Sequence, residues 1–246
     1  MTKFNFRILG LIFITVAIAA AATVSGCQLK APLPKPQAAP PGPGASVGAG
    51  ATSITINPST GVASGDVIFA YVGTQSASAI NVTTPTGWTL ISGPLMQGGI
   101  QSYLFQRISD GTDGASYTFN FSGAVGVGYA SQITYRGVNN ATPVDGSVTT
   151  ATQTTGTSLV LPAVSPSGSA DLLVAFVADY AGVGTPAATG MILEGDFMFE
   201  NVIFDQQLSS SGSTGTRTVA PIANSVSAGF LFAVTPSRGV IQPVGE

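Results

Sequence analysis

Two aspartates three residues apart in a glycine loop, Asp110-Gly111-Thr112-Asp113-Gly114, are the first place in this chain where chemistry can be imagined. Carboxylate oxygens suit Ca²⁺, a hard cation that takes about six to eight oxygen ligands. Two carboxylates fall short of that number. Asp-Gly is also a favoured turn dipeptide, because glycine takes positive φ and aspartate bonds its own backbone. The spacing therefore predicts a turn, with Asp110 and Asp113 as the alternative calcium ligands and no other metal site. Asp66 and Asp171 each stand just before a strongly apolar run. Glycoside hydrolysis needs two carboxylates about 5–10 Å apart. An aspartate at a strand start instead accepts nearby backbone N–H bonds, which keep it ionised and lower its pKa. The second reading is the expectation, and no catalytic residue is assigned. Glu194, Asp196, Glu200 and Asp205 form the densest acidic stretch; it reads as the solvated rim of a hairpin, or else as a divalent-cation or basic-partner site. Trp88, the only tryptophan, is followed closely by Leu90 and Ile91. A packed position is expected for it, and a sugar-stacking platform is the alternative.

Composition excludes much else. The 246 residues include no His and one Cys. Ser-His-Asp and Cys-His nucleophiles, His-built metal sites, intrachain disulfides and Cys-clustered zinc are thereby ruled out. Charged residues make up 8% of the chain, against about 25% in a usual soluble protein. The surface must then be Ser, Thr, Gly, Asn and Gln, as in secreted and cell-surface β proteins.

Lys3 and Arg7 precede an apolar stretch from Ile8 to Thr23. It is long for the core of a signal peptide and short of the roughly 20 residues of a membrane span. Val24-Ser25-Gly26-Cys27 follows and resembles the bacterial lipobox. That resemblance implies cleavage before Cys27 and a diacylglycerol on its thiol. An ordinary secretory signal and a retained membrane anchor are the alternatives. Residues 1–26 are thus read as a lipoprotein signal peptide with a helical core. Gln28 replaces the Asp that favours inner-membrane retention, so the address is the cell envelope, at the outer membrane in a host with two membranes.

Residues 27–52 read as the lipidated Cys and a disordered tether. Six of the 16 prolines fall between Pro32 and Pro43, and a Gly/Ala/Ser run follows. Extended polyproline chain rises about 3.1 Å per residue, so residues 31–44 would hold a domain on the order of 40 Å from the membrane. Lys30 and Lys35 read as linker charge, or as a slight attraction to anionic headgroups.

Residues 53–246 hold four arginines, no lysine and all 11 acids. That balance argues against nucleic acid, which needs a basic face. Short alternating runs between Gly/Pro/Asn/Asp/Ser punctuation predict strands at 66–72, 88–91, 102–108, 116–121, 127–135, 171–178, 201–208, 217–220 and 228–234. In Tyr117-Thr118-Phe119-Asn120-Phe121 the aromatics share one face, the period-2 mark of a half-buried strand. The fold class expected is all-β, an antiparallel jelly-roll-like β-sandwich. The domain also looks doubled, over about 53–150 and 151–239: Ser64–Val72 reads against Ser169–Val177, Thr86-Gly87-Trp88 against Thr189-Gly190-Met191, and Arg136-Gly137 against Arg238-Gly239. Five strands close a sandwich poorly, so the halves are expected to share one, with two separate sandwiches as the alternative.

The ordered set GDVIFAYV (65–72), TPTGWTLI (84–91), ASYTFNFSG (115–123), ITYRGVNNATPVD (133–145), ADLLVAFVAD (170–179), TGM (189–191) and TGTRTV (214–219) resembles a family of β-sandwich modules in bacterial secreted and surface proteins and in phage tail or virion proteins. Ile192-Leu193-Glu194-Gly195-Asp196 departs from the short basic-acidic run usual after Gly-Met. The resemblance implies fold and surface location, and brings no catalytic residues. Together these readings predict a lipid-anchored, non-catalytic recognition module for a neutral glycan or a surface protein, with the membrane as its other partner and no cofactor beyond the lipid. A structural envelope or virion-associated part is the alternative, and a carboxylate-only glycan hydrolase a further one.

Overall fold

Strands Val67–Gln75 (β4) and Leu172–Asp179 (β12) lack polar alternation: all of β12, and all of β4 except Gln75, is buried. Such a strand must be covered on both faces. The structure, a computed structural model that describes residues 35–114, 116–180, 186–197, 201–220, 222 and 226–237, achieves this with four antiparallel sheets. Among the described residues there is no helix.

The first large sheet contains β4 with Gln37–Ala38 (β1), Ala45–Val47 (β2), Thr89–Gln97 (β6), Ile100–Ile108 (β7) and Val127–Arg136 (β9), in the order β1-β9-β4-β7-β6, with β2 also on β9. The second contains β12 with Val144–Gln153 (β10), Ile192–Phe197 (β14), Asn201–Gln207 (β15) and Ser227–Val234 (β17), in the order β10-β17-β12-β15-β14. Two three-stranded sheets complete the set: Ser53–Ile56 (β3), Tyr117–Phe121 (β8) and Val82–Thr83 (β5) in the order β3-β8-β5, and Leu159–Leu161 (β11), Arg217–Ala220 (β16) and Ala187–Ala188 (β13) in the order β11-β16-β13.

Alternation along the central strands assigns each side chain to a layer. Val67, Phe69 and Tyr71 of β4 meet Leu172, Val174 and Phe176 of β12 in the core between the large sheets. Ile68, Ala70 and Val72 turn the other way, onto Ile54, Ile56 and Phe119 of the first small sheet. Leu173, Ala175 and Val177 turn onto Leu159, Leu161 and Val219 of the second. The result is two sandwiches, each with its own core, joined back to back through a third. The join is aromatic: the rings of Phe69 and Phe232 lie 4.9 Å apart, and Phe176 stacks on Phe232. Such ring pairs add about 0.5–1.5 kcal/mol beyond the area they bury.

Raising each strand number by eight carries β3-β8-β5 into β11-β16-β13 and β9-β4-β7-β6 into β17-β12-β15-β14. The ladders also allow the two sets of strands to be laid side by side residue by residue. Val67 faces Tyr135 and Leu172 faces Val234, so Arg136 matches Thr235. Arg238 and Gly239, which the sequence pairing sets against Arg136 and Gly137, lie outside the described residues.

The tether needs correction from residue 35 onward. Gln37 and Ala38 pair with Arg136 and Tyr135, Ala39 N–H donates to the Thr134 carbonyl at 2.8 Å, and Ala45–Val47 pair with Ala130–Gly128. Proline lacks a donor but is tolerated at a sheet edge, where only one side of the strand is bonded. Gly42 marks the close approach: a Cβ there would run into the Gln132 side-chain amide and the Asn57 carbonyl. Cys27, the lipobox residues Val24, Ser25 and Gly26, and the signal segment lie outside the described residues.

Candidate functional site

Asp110 and Asp113 occupy the turn between β7 and β8, and one oxygen of each is hydrogen-bonded within the protein. Asp110 Oδ1 accepts the Thr112 N–H at 2.8 Å and its hydroxyl at 2.7 Å; these bonds hold its carboxyl below the usual range. Arg107 Nε donates to Asp113 Oδ1 at 2.6 Å. Burial pushes the Asp113 carboxyl up, but bonds from Ser109 and Arg107 outweigh it and the net direction is down. Arg107 thus offsets one of the two negative charges of this loop, and among the described residues no cluster of three or more Asp, Glu, His or Cys could hold a metal.

Trp88 is 7% exposed, with its ring 5.0 Å from Tyr117 and 5.3 Å from Phe119. The sugar-platform alternative fails because both neighbours belong to the core face of β8. Its match, Met191, packs in the same way against the second small core.

Asp66 and Asp171 hold corresponding positions in opposite electrostatic settings. Asp66 Oδ2 accepts the Ala63 N–H at 2.9 Å, as a strand-start aspartate should, and Arg136 grips both oxygens at 3.1 and 2.9 Å. Asp171, 1% exposed, has no such cation among the described residues; Thr235 stands where the register would place one. Its carboxyl instead shares a hydrogen bond with Asp145 of β10. Burial and the neighbouring negative charge push Asp171 up to about 7. The expectation of a lowered pKa is thus overturned for this residue. Asp145 stays low, because Asp171 and the Ser167–Gly168 turn donate to it, the latter at 2.6–3.2 Å.

The acidic stretch is not a solvated rim throughout. Asp205 is 7% exposed; burial and then the charge of Glu194 push its carboxyl up, while the Tyr135 hydroxyl donates to it at 3.2 Å and pulls it down. Glu194 reaches it because β14 bulges between Leu193 and Gly195. Asp196 is exposed, and Glu200 lies outside the described residues.

A cleft of about 170 Å³ opens where β15 turns into β16. Its lining includes Gln206, Gln207, Ser209, Ser210, Ser213 and Arg217. Arg217 is 9% exposed. It donates from Nη2 and Nε to Gln206 Oε1 at 2.7 and 3.2 Å, and from Nη1 to the carbonyls of Thr214, Gly215 and Thr216. Burial lowers its pKa. The sequence hinted at this cleft only through Thr214–Val219, a motif of the family resemblance, and through the acid-free run Leu208–Thr216. The partnership of Asp145 with Asp171 left no local signal, being set by a crossover between strands. No protein-family model, no curated protein and no solved structure matches the chain.

Proposed function

We propose that this chain is a lipid-anchored envelope protein, held at the outer membrane of a two-membrane host through Cys27, whose double β-sandwich recognises a glycan or a surface protein without catalysing a reaction. The observation that carries this reading is the contrast between its carboxyls and its cleft. Asp66 and Asp113 are tied to arginines, and Asp171 and Asp205 are buried against other carboxyls. The open cleft is walled by hydroxyls and amides, groups suited to adaptable hydrogen bonding. The strand order supports a duplicated jelly-roll-like unit: numbering β10 to β17 as one to eight gives 1-8-3-6-5 in the large sheet and 2-7-4 in the small one, a jelly-roll order with strand five on the large sheet. That order also agrees with kinship to the secreted and virion sandwich modules.

A hydrolase fits less well. The pair with one raised and one lowered carboxyl, Asp171 and Asp145, is in hydrogen-bond contact. A glycosidase holds its two carboxyls about 5 Å or more apart, with the sugar between them. A structural role in an envelope or virion is the second reading, favoured by apolar side chains on exposed edges, Met96 on β6 (57% exposed) and Ile192 on β14 (66%). A glycan array, with a pull-down from host envelopes, separates these. Selective retention of a glycan or one envelope protein is expected; self-assembly with no retained partner would favour the structural role, and reducing sugar released from envelope polysaccharide would favour a hydrolase.

A further inference from the structure

The two loops that lead from a large sheet to a small one, Ser109–Ser116 and Leu208–Thr216, occupy matching places. Arg107 faces Ile68 on β4 and Gln206 faces Leu173 on β12, so these two correspond. Tyr117 faces Ile56 and Arg217 faces Leu161, so these correspond as well. Each half therefore holds one arginine at this junction, on β7 in the first and on β16 in the second.

They differ in what neutralises it. In the first half the loop turns Asp113 onto the guanidinium at 2.6 Å, with Asp110 3.8 Å away and the Tyr117 ring beneath. In the second half the loop is Leu-Ser-Ser-Ser-Gly-Ser-Thr-Gly-Thr, without an acid. Among the described residues no carboxylate reaches Arg217. Its partners are one amide oxygen and three carbonyls, all neutral. A guanidinium has five N–H groups. Nε uses one, Nη1 two and Nη2 one on these partners, which among the described residues leaves one Nη2 hydrogen unspent. A buried cation without a counter-charge is costly, and here Arg217 lines an open cleft.

We propose that the cleft between Gln207 and Ser213 binds a carboxylate-bearing sugar, with the carboxylate against Arg217 in the place that the first half gives to Asp113. One guanidinium with one free N–H matches a monoanion. The hydroxyls of Ser209, Ser210 and Ser213 and the small volume match the ring of a single sugar residue. The inference rests on the recognition reading and makes it more specific, moving the ligand from neutral to acidic.

Ser213 stands four residues before Arg217, as Asp113 stands four before Tyr117. Ser213→Asp therefore supplies the missing carboxylate from within the chain. The test measures binding of methyl glucuronide, methyl glucoside, inorganic phosphate and N-acetyl-aspartate amide to the full chain, by calorimetry and ligand-detected NMR. Glucuronide is expected to bind at least tenfold tighter than the other three. Arg217→Gln and Ser213→Asp should each lower that affinity at least tenfold, and Ser213→Asp should melt no lower than the parent. If Arg217→Gln fails to fold, Ser213→Asp decides alone. Equal binding of glucoside and glucuronide, equal binding of phosphate or the amino-acid amide, or binding untouched by Ser213→Asp each overturns the proposal. Absence of glucuronide binding also overturns it, whereas a neutral glycan retained on the array would leave the broader recognition reading standing.

Discussion

The hydroxyls of Tyr71 and Tyr180 meet at 2.7 Å across the seam between the two sandwiches. Tyr71 belongs to β4 of the first, and Tyr180 directly follows β12 of the second. Ser102 Oγ takes a second bond with Tyr71 at 2.9 Å, and burial, partly offset by these bonds, raises the Tyr71 phenol to about 12. Each buried hydroxyl thus depends on the other half. Tyr71→Phe keeps the ring and removes the shared oxygen; it is expected to cost about 1–3 kcal/mol, since Tyr180 and Ser102 both lose a partner. Chemical denaturation reads this directly. An unchanged midpoint would mean that water replaces the lost oxygen.

Phe119→Ala tests the first sandwich's own core. Phe119 is fully buried, with Phe105 at 5.0 Å and Trp88 at 5.3 Å. Truncation should cost roughly 3–5 kcal/mol. The Trp88 fluorescence should shift red as its neighbour disappears. A melting curve that matches the parent's would contradict the assigned layer.

The pair formed by Asp145 and Asp171 predicts a pH dependence. The folded pKa of Asp171 is raised, so the folded state holds a proton that the unfolded state releases. Its stabilising contribution is full below the ordinary carboxyl range and is lost as pH rises through about 7. The slope in that window is at most about 1.4 kcal/mol per pH unit. Asp205, raised chiefly by burial, acts in the same sense. Asp171→Asn should remove Asp171's part, so that the variant gains on the parent between pH 5 and 8. Parallel stability curves over that range would show that Asp171 is ionised throughout.

Cys27→Ala tests the anchor. The variant is expected to move from the membrane fraction to the soluble or released fraction, and a radiolabelled fatty acid should mark only the parent. Unchanged fractionation, with no label on the parent, would remove the lipid from the account.

All nine strands expected from the sequence are present, with ends displaced by few residues except at β6, which runs on to Gln97. They were legible because Val, Phe and Tyr alternate or run together there. β10 was not: Val-Asp-Gly-Ser-Val-Thr-Thr-Ala-Thr-Gln is half-buried and polar, and only its pairing with β17 makes it a strand. β1 and β2 escaped because a proline-rich edge resembles a linker until a partner strand appears. The same limit governs the sites. Arg107 and Asp113 are six residues apart and their pairing is local, whereas Asp145 and Asp171 meet through strand order. Likewise, Arg217 becomes conspicuous only after the ladders align it with Tyr117.

Docking of the chain from Pro36 onward against β9 shortens the leash that the proposed anchor at Cys27 would provide. Eight peptide units join Cys27 to Lys35, and at no more than about 3.6 Å each they reach roughly 29 Å. A flexible tether ending at residue 52 would let the domain sweep a wide volume with either sandwich foremost. If Cys27 carries the proposed lipid, a leash ended at Lys35 would keep the β1–β9 edge of the first sandwich within that reach of the headgroups and restrict both height and tilt. Under the proposed reading, recognition would operate as at a fixed berth: a partner would have to come within a short, set range of the membrane to be met.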